Sequence, residues 1–138
     1  MTAVLVESNI PIDLLTVDSR WFAWSSDALA KAADSARLVI NPIIFAEVSV
    51  RFSRIEEMDA VLLKSMFDRE ALPYEAAFLA GKAFLAYGQR GGTKTAPLPD
   101  FFIGAHAAVA GYRLMSRDAV RYMTYFPTIN SIYPAVPI

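Results

Sequence analysis

Cysteine is absent from the 138 residues, and histidine occurs once, as His106. The first absence excludes disulfide scaffolds, thiolate zinc sites, iron–sulfur clusters and cysteine nucleophiles. The second leaves too few imidazoles for a zinc hydrolase built on a His-Glu-x-x-His helix. Metal chemistry would therefore have to run on carboxylate oxygen, which selects magnesium or manganese. Long hydrophobic runs are missing as well. Phe101 to Tyr112 is the longest, interrupted by His106, and at about a dozen residues it falls short of the roughly 20 that a bilayer span needs. The amino terminus shows no basic, apolar and small-residue leader pattern, and no Asn-x-Ser/Thr sequon occurs. A cytoplasmic protein without a membrane span is expected.

What is present suffices for one core. With 55% hydrophobic and 20% charged residues and a mean hydropathy of +0.34, the chain lies far from disordered compositions, and its length suits one domain over residues 1–138. The net charge of −1 hides an asymmetry. Residues 1–79 hold seven Lys and Arg against twelve Asp and Glu, a net of −5, whereas residues 80–138 hold six against two, a net of +4. A basic carboxyl-terminal part can meet a phosphate backbone, or it is an ordinary mixed surface divided by an arbitrary cut. Its candidates for contacting RNA are Arg90, Lys94, Arg113, Arg117 and Arg121.

Short apolar runs alternate with helical stretches. Residues 3–6 and 37–40 read as strands, as do 112–115 and an edge segment at 128–132. Helices are expected from Ser8 and Asn9 through Leu15, over 19–33, from Pro42 to about Arg54 behind an Asn41 cap, over 56–67, over 74–87 with Gly88 as terminator, over 100–111, and over 117–123 behind Ser116. Gly88 to Pro99 is the clearest loop; its Gly-Gly-Thr-Lys-Thr segment imitates a phosphate loop but lacks the glycine before Lys94 and follows a helix. Strands alternating with helices imply a parallel sheet covered on both faces, and such sheets gather ligands at the carboxyl ends of their strands.

Four acids fall at such ends, and each has an ordinary alternative. Glu7 follows the first strand and is otherwise a plain strand-end acid. Glu47 shares a helix face with Ile43, Ile44 and Val50, so it points inward or pairs with Arg51 or Arg54. Asp100, before Phe101-Phe102-Ile103, is placed as an N-cap. Asp118 follows Ser116 at a strand-to-helix turn and suits a first helical turn. His106 reads as a satisfied core or interface histidine. The acidic run Glu56, Glu57 and Asp59 is explained by solvation and the helix dipole. The small residues between Ala76 and Ala86, with the positive hydropathy, suit a helix packed against a second copy of the chain, a homodimer.

Taken together, the segments Val4-Leu5-Val6-Glu7-Ser8-Asn9, Asn41-Pro42-Ile43-Ile44-Phe45-Ala46-Glu47, Pro97 to His106 and Leu114-Met115-Ser116-Arg117-Asp118 resemble the PIN domain and, more narrowly, the VapC toxins. The resemblance runs from about residue 3 to residue 132. It implies a three-layer α/β/α fold around a central parallel sheet of four to five short strands. It also implies a toxin of a type II toxin–antitoxin system, an Mg2+- or Mn2+-dependent endoribonuclease that hydrolyses RNA phosphodiester bonds and is inhibited by a cognate VapB antitoxin. On that resemblance Glu7, Glu47, Asp100 and Asp118 fill the catalytic and metal-holding positions, with Asn9 and Ser116 as hydrogen-bonding support. One position departs from the family pattern, which closes the first strand with aspartate where this chain has Glu7. Two expectations follow. Shortening Glu7 to aspartate restores the family geometry and raises the rate, or the domain is a weakly active or inactive module that binds RNA or antitoxin.

Overall fold

A computed structural model describes residues 2–91 and 98–135. Strand β1 (Thr2–Val6) is central, because a run in which Val4, Leu5 and Val6 are all buried suits only a strand covered on both faces. It leads into helix α1 (Asn9–Leu15), and α2 (Phe22–Ser35) carries the chain to β2 (Ala36–Ile40). Next come α3 (Pro42–Ser49), α4 (Ile55–Val61), β3 (Phe67–Arg69) and α5 (Tyr74–Gln89). The last elements are α6 (Leu98–Ala110), β4 (Arg113–Met115), α7 (Ala119–Tyr125) and β5 (Ser131–Ile132). All pairings are parallel, in the order β3-β2-β1-β4-β5. This is the expected α/β/α fold, with five strands among the described residues. Among the described residues no helix is long and apolar enough to cross a membrane.

The strand order positions the site. From β1 the chain steps to β2 and β3 on one side, then returns to β4 and β5 on the other. The crevice at the carboxyl ends of β1 and β4 is therefore the topological switch point. Register makes the meeting close: Val6 pairs with Met115, so Glu7 and Ser116 are the next residues on adjacent strands. The Glu7 amide donates to Met115 O at 3.0 Å.

Several boundaries differ from the sequence reading, each for a local reason. The expected helix over 56–67 stops at Val61, and Phe67-Asp68-Arg69 forms a strand with no β-branched residue, held by register against Leu38, Val39 and Ile40. Pairing outweighs propensity there. Helix α2 begins three residues later than expected, because Asp18 Oδ1 accepts from the amides of Arg20 and Trp21, both at 2.8 Å, and holds a turn. Helix α5 continues through Gly88; the left-handed residue after its end is Gly91, at φ +73°. Helix α3 ends at Ser49, leaving Val50 85% exposed rather than on the buried face.

Two tertiary contacts fix α7 relative to the sheet. Asp13, buried on α1, accepts from Ser25 Oγ at 2.7 Å and from Arg117 Nε at 3.0 Å, joining α1, α2 and the β4–α7 turn. Further on, α7 lies against α6 at Gly104. A Cβ at that position would sit 2.5 Å from Phe126 ring carbons and 3.0 Å from Tyr122, both of them buried rings without room to retreat. Alanine gains about 1 kcal/mol of helix propensity at such a position, but overpacking costs more. Gly104→Ala is therefore expected to destabilise the protein by roughly 1–3 kcal/mol in urea unfolding. Unchanged stability would mean that α7 is not pressed onto α6.

Candidate functional site: an acidic crevice at the strand ends

Glu7 is 5% exposed and is held on one oxygen. Asn9 Nδ2 donates to Oε2 at 2.8 Å, and Ser116 Oγ makes a very short hydrogen bond to the same atom. Ser116 Oγ also accepts from the Asp118 amide at 2.9 Å, which fixes the turn. The Asn9 amide extends toward Ser116 Oγ at 3.4 Å and Asp118 Oδ2 at 3.5 Å. Asn9 and Ser116 therefore tie Glu7 to the β4–α7 turn.

The other two acids arrive from α3 and α6. Asn41 caps α3 as expected, accepting from the Ile44 amide at 3.0 Å. That helix delivers Glu47, which is half-buried. Its partner is neither Arg51 nor Arg54 but Ser8, whose Oγ donates to Glu47 Oε1 at 2.9 Å. Arg54 pairs with Glu56 at 3.2 Å instead. Ser8 precedes α1 but makes no side-chain cap, since its hydroxyl is used on Glu47. Asp100 is buried, in the first turn of α6 rather than at its cap, because the helix already starts at Leu98. Asp118 holds the N-cap position of α7 without a side-chain cap bond, and is exposed.

Burial dominates the electrostatics. Desolvation pushes the Glu7 carboxyl up to about 7; Ser116 and Tyr122 oppose the shift, and Asp100 and Asp118 add to it. Desolvation also raises Glu47, against the Ser8 hydrogen bond, and Asp100 raises it further. Asp100 itself is raised by burial and by Asp118, with Arg121 pulling the other way. The four acids thus share one crevice. They do not yet form a cage, since among the described residues no three Asp, Glu or His groups are placed to hold one metal ion.

The basic residues divide differently from expectation. Arg121 reaches the acids, its Nη1 donating to Asp100 Oδ2. Arg117 turns away to Asp13 and lies 5.7 Å from the Trp21 ring. Arg113 opens β4 and so stands at the opposite end of that strand from the acids. Arg90 lies 5.7 Å from the Tyr125 ring beyond α5, and Lys94 falls outside the described residues.

Sequence reasoning missed Ser8 and Tyr122. Ser8 was legible only as a cap. Tyr122 is 1% exposed on a seven-residue helix too short to show a period, and its hydroxyl favours ionisation of Glu7 and Asp100 without completing a hydrogen bond. His106 is a core residue, as expected. It is buried on α6, accepts from Asn41 Nδ2 at Nδ1 (3.0 Å) and has Nε2 3.6 Å from Glu70.

A raised carboxyl has a definite linkage sign. The unfolded chain releases the Glu7 proton near its ordinary value of 4.5 and the folded protein only near 7. Between those values the folded state holds more protons, so stability falls as pH rises and levels off once both states are ionised. Metal-free protein is expected to lose on the order of 2–3 kcal/mol more than Glu7→Gln across that interval in pH-dependent unfolding. Parallel curves would remove the buried acid from the account.

Residues 4–123 match the family profile described as PIN domain. The fold is similar to that in the structure of VapBC2 from Rickettsia felis bound to a promoter DNA fragment, with a TM-score of 0.74 and 15% identity. It is also similar to VapBC-1 from nontypeable Haemophilus influenzae (TM-score 0.72, 17% identity) and to a toxin–antitoxin complex from Klebsiella pneumoniae (0.69, 21%). Each comparison covers 96% of this chain and 98% of the other. No curated protein matches. The family match runs from within β1 to within α7 and takes in all four acids of the crevice, and the chain belongs to the PIN-domain family.

Proposed function

We propose that this protein is the toxin of a type II toxin–antitoxin pair and a metal-dependent endoribonuclease acting through Glu7, Glu47, Asp100 and Asp118. The observation that carries the reading is the crowding of buried carboxylates at the switch point, where three of them are pushed toward the protonated form. A fold does not keep such unrelieved charge for stability.

The chemistry of the donors, though not yet their spacing, suits a hard divalent cation. The donors are all oxygen, the acids repel one another, and the buried Asn9 Oδ1 is an acceptor without a partner among the described residues. When bound, Mg2+ or Mn2+ would neutralise the phosphodiester and lower the pKa of an attacking water. Glu7, Asp100, Asp118 and Glu47 would hold the ion. Asn9 and Ser116 orient Glu7, and Ser8 fixes Glu47, which limits how far each carboxylate can stray. The glutamate at position 7 suits this pocket, because its carboxyl already reaches both Ser116 and Asn9. On that ground we propose the opposite of the expectation drawn from the family pattern: Glu7→Asp pulls the carboxyl away from its supports and lowers the rate.

A VapB-type antitoxin is the proposed partner, its arginine answering the acids and its apolar segment covering exposed side chains. Homodimerisation through α5 is part of the same proposal. Tyr74, Phe78 and Leu85 are exposed along that helix at 91%, 69% and 55%, and the mass in solution by light scattering reads it.

Cleavage of cellular RNA by the antitoxin-free protein tests the reading. Cleavage is expected to require Mg2+ or Mn2+, to fall on the order of 100-fold in Asp118→Asn and to fall roughly 10- to 100-fold in Glu7→Asp. Metal-independent cleavage, or equal cleavage by Asp118→Asn, would contradict it. Tight RNA binding without turnover would favour a binding module.

A further inference from the structure

Among the described residues, Arg121 is the cation that meets the acids. Its guanidinium lies on Asp100 Oδ2, and its charge favours the ionised forms of both Asp100 and Glu47. The backbone sets this contact. Tyr122, the next residue of α7, packs with Phe126 on Gly104, one helical turn along α6 from Asp100. Pressing the helices together there brings Arg121 over the carboxylate. The arginine side chain is nevertheless 43% exposed while Asp100 is 7% exposed, so the cation can leave without opening the core and the anion cannot follow it.

With Arg121 on Asp100, the hydrogen bonding of the crevice is incomplete. Among the described residues the buried Asn9 Oδ1 has no hydrogen-bond partner, and the buried Tyr122 hydroxyl, which faces Glu7 and Asp100, completes no hydrogen bond to either. The first can only accept, and the second can donate or accept. Buried polar groups left in this state are costly, and their presence marks a site that takes something further. A guanidinium on Oδ2 also occupies one of the two oxygens that a second cation would use, and two positive charges a few ångströms apart repel.

We propose that Arg121 is the resident counterion of the crevice: in the metal-free protein it holds Asp100, and a divalent cation binds there only by displacing it. The inference rests on the proposed metal-dependent reading of the same site. It assigns Arg121 a role opposed to metal binding, whereas an arginine that merely supported the carboxylate's position would help the metal to bind. The geometry favours opposition, because Arg121 contacts the metal-facing acid itself rather than a residue behind it.

Calorimetric titration with Mn2+ at neutral pH separates the possibilities, using the wild-type protein, Arg121→Gln and Arg121→Lys, each checked for folding by its melting temperature. Arg121→Gln is expected to bind Mn2+ on the order of tenfold more tightly than wild type, and its melting temperature should rise more on adding Mn2+. Arg121→Lys keeps the charge and should stay near wild type. Equal or weaker binding by Arg121→Gln, with wild type binding normally, overturns the counterion role and leaves the metal site standing. Tightening in Arg121→Lys as large as in Arg121→Gln also overturns it, since charge would not be the cause. If none of the three proteins binds Mn2+, the metal reading of the crevice fails and the counterion role fails with it.

Discussion

Negative charge that the fold buries and only partly relieves is the constraint on which this protein turns. A carboxylate moved out of water must be paired, hydrogen-bonded or protonated. Glu7 combines hydrogen bonds with a pKa near 7, Glu47 has a serine hydroxyl, and Asp100 has a guanidinium. None of these partners matches the charge that the crevice holds. On the proposed reading, a divalent cation supplies the charge that these partners do not.

The architecture explains why the acids meet. A parallel sheet that grows first to one side of β1 and then to the other leaves a crevice between the ends of β1 and β4. Glu7 and Ser116 enter it by register alone. Glu47 and Asp100 enter from the first two turns of their helices, α3 and α6. Asp118 and Arg121 depend on α7, whose place is set by the close approach at Gly104 and by the Arg117–Asp13 pair in the preceding turn. Arg117, one of the residues considered for RNA contact, thus also serves as a strut for the site through its pair with Asp13.

The sequence shows these levels unequally. The strands β1 and β2 and the acids at strand ends were legible because apolar runs and turn residues are local signals. Strand β3 was not, since Phe67-Asp68-Arg69 owes its conformation to β2 across the sheet. The inward face of α3 is legible at Ile44 but not at Val50, which lies past the end of the helix. The basic residues were hardest of all. Net charge placed Arg113, Arg117 and Arg121 in one group, but side-chain direction sends them to the far end of β4, to Asp13 and to Asp100. Charge can be counted along a sequence, whereas its partner is decided by tertiary structure.

The most direct test of the central claim is anomalous scattering from crystals soaked in Mn2+. The account predicts a manganese peak in the crevice bordered by Glu7, Asp100 and Asp118, with the Arg121 guanidinium turned off Asp100. Crystals that take up manganese elsewhere while the crevice stays empty and Arg121 keeps its contact would contradict it.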